Sequence, residues 1–314
     1  MVWNVKLTLF VSALDQGQDE FMNEVADLQL LIESKPKDLG GFQVRRALPV
    51  AQKRFIGPFV FFDEMGPVDF KIGQGMDVRP HPHIGLSTLT YLFQGEIVHK
   101  DTLGVEQIIA PGAVNWMTAG SGVAHSERSA QEKRAHPQRL HGLQIWIALP
   151  KDQEEVTATF HHHSAKEIPE LSIDGNQVRV VAGDVLGQRS PVRAYSPLVY
   201  LDVKLQRGKK FRMPMMGFEL GVYVVSGSVQ LGSKIVRTGS LGVFSNAEIL
   251  ELTTTENSQI MILGGKVFPE ERHIWWNFVS SSKDRIERAK KDWREQNFGK
   301  IKGETELIPL PEDR

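Results

Sequence analysis

His81-Pro82-His83 and, further along the chain, Gly120-Ser121-Gly122-Val123-Ala124-His125-Ser126-Glu127 are the two stretches on which the reading of this sequence turns. Each carries a pair of metal-ligand residue types at spacing i, i+2. On a β-strand alternate side chains point to one face, so each pair aims two ligands into the same interior. Two such strands facing each other make a cage of three histidines and one carboxylate: His81, His83, His125 and Glu127. Pro82, with no backbone donor, suits an edge strand or a strand start. Gly120 and Gly122 stand just before His125, where a close approach of chains calls for glycine.

Outward from these stretches the chain consists of short apolar runs broken by Gly, Pro and Asp. Residues 59–62 run into Asp63-Glu64-Met65-Gly66-Pro67, residues 86–93 into Gln94-Gly95, residues 107–110 into Pro111-Gly112, and residues 143–149 into Pro150. Short strands at this spacing predict an all-β sandwich or barrel. The texture recurs in residues 178–182, 198–205, 220–225, 228–231, 241–244 and 260–263. Two β-domains in tandem follow, with polar residues 151–155 as the boundary. The expected division is an N-terminal extension over 1–36, a metal-binding domain over 37–155 and a second domain over 156–314 without metal ligands. The last of these ends in an amphipathic helix over 282–296, with Ile286, Ala289 and Trp293 as its apolar stripe. Ser281 with Asp284 resembles its capping box. A second helix is expected over 18–33, with Phe21, Val25, Leu28 and Ile32 on one face.

Composition narrows the function classes. Lys and Arg total 37 against 38 for Asp and Glu, a net charge of −1, which gives no general attraction for nucleic acid or an anionic membrane. With no cysteine, disulfides, thiolate metal sites and a cysteine nucleophile are excluded. No apolar run reaches the length of a membrane-spanning helix. Residues 7–14 are apolar but too short, and lack a cleavage site, for a signal peptide. The expectation is a cytoplasmic protein.

Neutral imidazole suits Fe, Zn, Cu and Ni, and one added carboxylate makes a mixed nitrogen and oxygen site. Four protein ligands around an octahedral ion leave two positions for water, oxygen or a bidentate substrate, as an oxygenase needs. Zn instead favours a closed tetrahedral structural site. Ligand identity alone leaves both open. His161-His162-His163 reads as a solvated connector, since adjacent strand residues point to opposite faces. His99 and Gln144 read either as lining the pocket mouth or as hydrogen-bonded structural residues. His136, His141 and His273 have no spacing partner. In the second half Met213-Pro214-Met215-Met216-Gly217-Phe218-Glu219 holds no histidine, so no second metal site of this kind is expected. Trp275 and Trp276 read as packing residues.

The same stretches resemble the pirin family, bicupins of the wider cupin superfamily. The matching segments are Phe62-Asp63-Glu64, His81-Pro82-His83-Ile84-Gly85, Tyr91-Leu92, Gly95-Glu96-Ile97, Pro111-Gly112, the run from Trp116 to Glu127, and His141-Gly142-Leu143-Gln144-Ile145-Trp146. The resemblance spans residues 38–298. It implies two tandem cupin barrels of the double-stranded β-helix (jelly-roll) type with a few peripheral helices. It implies one divalent metal in the first barrel only, on His81, His83, His125 and Glu127. Fe(II) is the first expectation; Zn, Ni, Cu, Mn and Co are the alternatives. Some relatives are similar to quercetin 2,3-dioxygenases, and others are described as nuclear co-regulators or binders of metabolic enzymes. Two readings follow. One is an Fe(II) dioxygenase acting on a small aromatic, flavonol-like substrate, with Glu127 doubling as catalytic base. The other is a non-catalytic, metal-binding regulator that binds a protein partner. A Zn-stabilised bicupin without redox chemistry is a third. A monomer without direct nucleic-acid contact is expected in each case. The chain departs from the general cupin motif at Ser87, where a Glu is usual; this bears on a carboxylate behind the ligands.

Overall fold

The computed structural model describes residues 24–38 and 42–313, folded as two β-barrels in tandem. In the first, a seven-stranded antiparallel sheet runs in the order Thr159–His163, Val114–Thr118, Leu86–Gln94, Gln138–Ala148, Phe59–Phe70, Gln43–Leu48 and Lys35–Asp38. A four-stranded sheet faces it, in the order Asp77–His83, Val123–Arg128, Ile97–Asp101 and Glu106–Ile109. The second barrel repeats this plan. Its long sheet runs Leu30–Glu33, Ser240–Phe244, Glu219–Ser226, Ser258–Gly265, Leu198–Leu205, Asn176–Val185 and Glu170–Ile173. Its short sheet runs Lys210–Pro214, Ile249–Thr253, Ser228–Leu231 and Lys234–Arg237.

The two long sheets pack face to face, which explains runs of apolar residues without alternation. A strand buried on both faces is apolar at every position. Along Leu198–Leu205, Val199, Leu201, Val203 and Leu205 fill the second barrel, while Leu198 and Tyr200 meet the first barrel. Phe59, Phe62, Leu89, Tyr91, Leu143 and Ile145 come from the other side into the same core, where Phe62 lies 4.5 Å from Tyr223 between ring centroids. Burying each such side chain contributes roughly 1.5–3 kcal/mol, so this shared core is a main term in stability.

Several local expectations are corrected. No helix covers the described part of residues 18–33; residues 18–23 lie outside the described chain. Val25 bridges Ile249, and Leu30–Glu33 is an antiparallel strand on Ser240–Phe244. The edge of the long sheet offers backbone partners, as in Gln29 N–H to the Val243 carbonyl at 3.0 Å; Ala26, whose N–H bonds the Ile249 carbonyl of the short sheet at 2.8 Å, and Ile32 are buried. Residues 63–67 continue the Phe59–Phe70 strand instead of breaking it. Their carboxylates have partners: Asp63 with Arg46, and Glu64 with Arg45 and His141. Residues 161–163 lie on an edge strand, and His162 Nδ1 bonds Asn115 Oδ1 at 2.7 Å. The helix is Lys283–Arg294, with Ile286, Ala289 and Trp293 buried as expected. Its N-cap is Ser282, which accepts from the Arg285 N–H; Ser281 binds Glu154 instead. Among the described residues no helix is long and apolar enough to cross a membrane.

Candidate metal centre

The Asp77–His83 strand lies at the edge of its sheet, where the missing donor of Pro82 breaks no ladder. It pairs with Val123–Arg128 so that His81 stands opposite His125 and His83 opposite Val123. The two glycines before His125 make room for other segments of the chain rather than for this pairing. A Cβ on Gly120 would sit 1.9 Å from the Val156 carbonyl oxygen, and one on Gly122 would sit 2.9 Å from the Phe298 ring.

The structure brings His81, His83 and His125 together: one ring nitrogen from each lies within 4.8 Å of the other two. It is the one such cluster among the described residues. His83 Nε2 and His125 Nε2 are 3.1 Å apart. The opposite ring edges are held. His81 Nδ1 donates to the Arg79 carbonyl at 2.8 Å, and His83 Nδ1 donates to the Asn277 carbonyl at 3.2 Å. A carbonyl only accepts, so the proton of each neutral ring is on Nδ1 and each Nε2 is a bare lone pair. Burial lowers the His81 pKa to about 4 and drives those of His83 and His125 well below the usual histidine value. The rings are therefore neutral near pH 7, and buried lone pairs converge without a protein donor. A cation would satisfy them, and the borderline character of imidazole suits a first-row divalent ion.

Glu127 enters the same space between the sheets but is not one of the mutually close atoms. The register against Asp77–His83 shifts between His125 and Glu127, so Glu127 faces Val78. Its Oε1 lies 3.1 Å from the Thr90 hydroxyl, which is also 2.9 Å from Gln144 Oε1 on the long sheet. Burial raises its carboxyl above the ordinary value, with His99 and Thr90 pulling the other way. His81 and Glu127 keep 7% and 6% exposure against 0% and 1% for His83 and His125, so they are the less deeply buried of the four.

Gln144 and Thr90 line the barrel interior, as do Trp146 and Phe61. The last two stack at 3.9 Å between centroids, and Trp146 meets the His83 ring edge-on at 5.0 Å. Ser87 points the other way, on the face of Leu89 and Tyr91, and bonds Thr118 Oγ1 at 3.1 Å. A carboxylate at this position would not face the histidines, so its absence takes nothing from the cluster. His99 is a buried hydrogen-bonded residue rather than part of the rim: its Nδ1 is 3.2 Å from His125 Nδ1 and its Nε2 is 3.0 Å from Asp101 Oδ2. His141 pairs with Glu64 at 2.7 Å. Sequence reasoning passed over Asp101 and Asn277. His99-Lys100-Asp101 repeats the i, i+2 spacing on a strand and was a readable signal. Asn277 acts through its backbone, which leaves no trace in residue type.

The chain after the second barrel returns to back this site. Strands His273–Trp275 and Phe278–Ser280 form a hairpin whose Phe278 bridges Ile84. Glu304 accepts from Ser126 Oγ and Arg128. Trp275, Trp276 and Phe278 pack with Ile84, Ala124 and the helix residues Ile286, Ala289 and Trp293, and the Lys290 ammonium lies 4.0 Å from the Trp275 centroid.

Comparison with known proteins agrees with this architecture. The pirin family pattern matches residues 41–147 and that of the pirin C-terminal cupin domain matches residues 200–299. A pirin-like protein of Caulobacter vibrioides is 45% identical over 293 residues, covering 91% of this chain and 100% of the relative. Pirin of Homo sapiens is 31% identical, covering 82% of this chain and 89% of its own length. A crystal structure of quercetin 2,3-dioxygenase from Acinetobacter baumannii superposes with a TM-score of 0.84 at 32% identity, covering 90% of this chain and 94% of that one.

Proposed function

The chain belongs to the pirin family of bicupins, and on that premise we propose that it is an Fe(II)-dependent dioxygenase acting on a flavonol-like substrate. The observation that carries the reading is the convergence of buried, donorless imidazole nitrogens from His81, His83 and His125. These three side chains hold the ion, and Glu127 completes the set. The second barrel takes no part in binding it. When bound, the ion supplies a template and Lewis acid for a chelating substrate and an electron source for dioxygen chemistry.

The remaining roles belong to the chain's own residues. Trp146 and Phe61 present a flat apolar wall beside His83, suited to a planar aromatic substrate. Glu127 accepts the proton of the chelating hydroxyl, and the Thr90 hydroxyl holds its carboxylate in place.

The test is anaerobic loading of metal-free protein with Fe(II), followed by oxygen uptake with quercetin. Quercetin-dependent uptake by wild type is expected. Glu127→Gln should keep a measurable metal content and lose at least ~100-fold in turnover. Tight metal binding with no uptake across a flavonol panel overturns the dioxygenase reading and leaves the metal-binding regulator. Unchanged turnover in Glu127→Ala removes the base.

A further inference from the structure

We propose that Asp101 and His99 are positioning residues that set the tautomer of His125 and thereby keep its Nε2 open for the ion. The proposal rests on the metal reading above and adds residues outside the ligand set. The Ile97–Asp101 strand pairs with Val123–Arg128, placing His99 opposite Glu127 and Asp101 opposite His125. His99 and Asp101, two apart, share a face and form a chain running Asp101, His99, His125. Phe160 stacks on the His99 ring at 4.5 Å and 26°, which fixes the ring plane.

The polarity of the chain follows from its far end. Asp101 Oδ1 accepts the backbone N–H groups of Leu103 at 2.9 Å and Val105 at 3.0 Å. Its Oδ2 faces His99 Nε2 at 3.0 Å. A carboxylate only accepts, so His99 Nε2 carries the proton. With one proton on the ring, His99 Nδ1 is an acceptor. It takes the Nδ1–H of His125 across 3.2 Å, and His125 Nε2 is left bare, 3.1 Å from the bare His83 Nε2. The two amides on Oδ1 anchor Asp101, so the direction of the whole chain is set by a tight turn of backbone.

One substitution reverses it. In Asp101→Asn the two backbone amides hold the side-chain oxygen at the Oδ1 position, so the NH2 group takes the place of Oδ2. That group donates to His99 Nε2, His99 moves its proton to Nδ1 and donates to His125, and His125 carries its proton on Nε2. The Nε2–H then points at His83 Nε2 and closes the network without an ion. The side chain keeps its size, and its hydrogen bonds go to His99, Leu103 and Val105 rather than to any of the four proposed ligands.

The experiment combines two readouts at pH 8. Proton–nitrogen correlation of ¹⁵N-histidine-labelled, metal-free protein reports each ring's tautomer, and Co(II) titration reports affinity. Wild type is expected to show His125 protonated on Nδ1 and His99 on Nε2. Asp101→Asn is expected to show both reversed and to bind Co(II) roughly 10–100-fold more weakly. Should the variant fail to fold, wild type decides: His125 protonated on Nε2 overturns the proposal. Unchanged tautomer and affinity in Asp101→Asn overturn it as well. If wild type binds no Co(II), the metal reading fails, while the tautomers still report on the chain from Asp101.

Discussion

At the scale of single residues, the centre depends on burying three basic rings in their neutral form. Burial lowers the pKa of His81 to about 4 and those of His83 and His125 well below 6.5. Above pH 6.5 the histidines are neutral whether the chain is folded or not, and contribute nothing. Between pH 6.5 and about 4 the unfolded chain binds protons that the folded chain refuses. Stability of the metal-free protein therefore falls as pH falls, by up to about 1.4 kcal/mol per pH unit per histidine. His81→Asn removes one of these groups, so its melting temperature should drop less between pH 7 and pH 5 than that of wild type. Buried carboxyl groups with raised pKa, such as Asp63 and Asp202, act in the opposite sense but are common to both proteins and cancel in the comparison. Equal drops would mean that His81 is solvated. The shared face of His81 and His83 was legible in sequence, because i, i+2 spacing on a strand is a local property; their meeting with His125, expected from the second such pair, is made by strand pairing. The register shift that separates Glu127 from His125 was not, because a bulge depends on the strand alongside.

At the scale of elements, the hairpin His273–Ser280 is the piece most closely tied to the centre. It gives His83 its carbonyl acceptor at Asn277 and meets the Ile84-Gly85 turn through Val279. Gly85 has φ +65°, and a Cβ there would sit 2.0 Å from the Val279 oxygen. Gly85→Ala should destabilise the fold by at least ~2 kcal/mol, from left-handed backbone strain and displacement of the hairpin. Urea denaturation checks the loss; an unchanged midpoint would mean that the hairpin does not hold this turn. The Lys283–Arg294 helix was legible because three apolar residues recur at spacings 3 and 4 in a charged segment. The Leu30–Glu33 strand was not. Its sequence carries a helical period as readily as an extended one, and the free edge of the second barrel decided between them.

At the scale of the whole molecule, the barrels share one core and, among the described residues, buried polar links from tyrosine hydroxyls. Tyr91 OH donates to Asp202 at 2.9 Å, and Tyr223 OH donates to Glu64, which also accepts from Arg45 and His141. Buried acceptors of this kind cost ~1–3 kcal/mol when a donor is withdrawn. Tyr223→Phe should lower the unfolding free energy by about that much while both barrels still unfold in a single calorimetric transition. Two separate transitions in wild type would show that the shared core does not couple them.

The sequence by itself determined the β class, the candidate ligand residue types and the lack of a matching histidine set in the second half, and its recurring texture pointed to two β-domains in tandem. These are properties of composition and short-range periodicity, which an extended chain expresses before it packs. Only the tertiary structure decided which surface each alternate row meets: that Ser87 turns from the histidines, that His99 and Asp101 stand behind His125, and that a carbonyl 194 residues away holds His83. Such contacts join segments distant in the chain, and several act through backbone atoms that every residue carries. No local pattern encodes them.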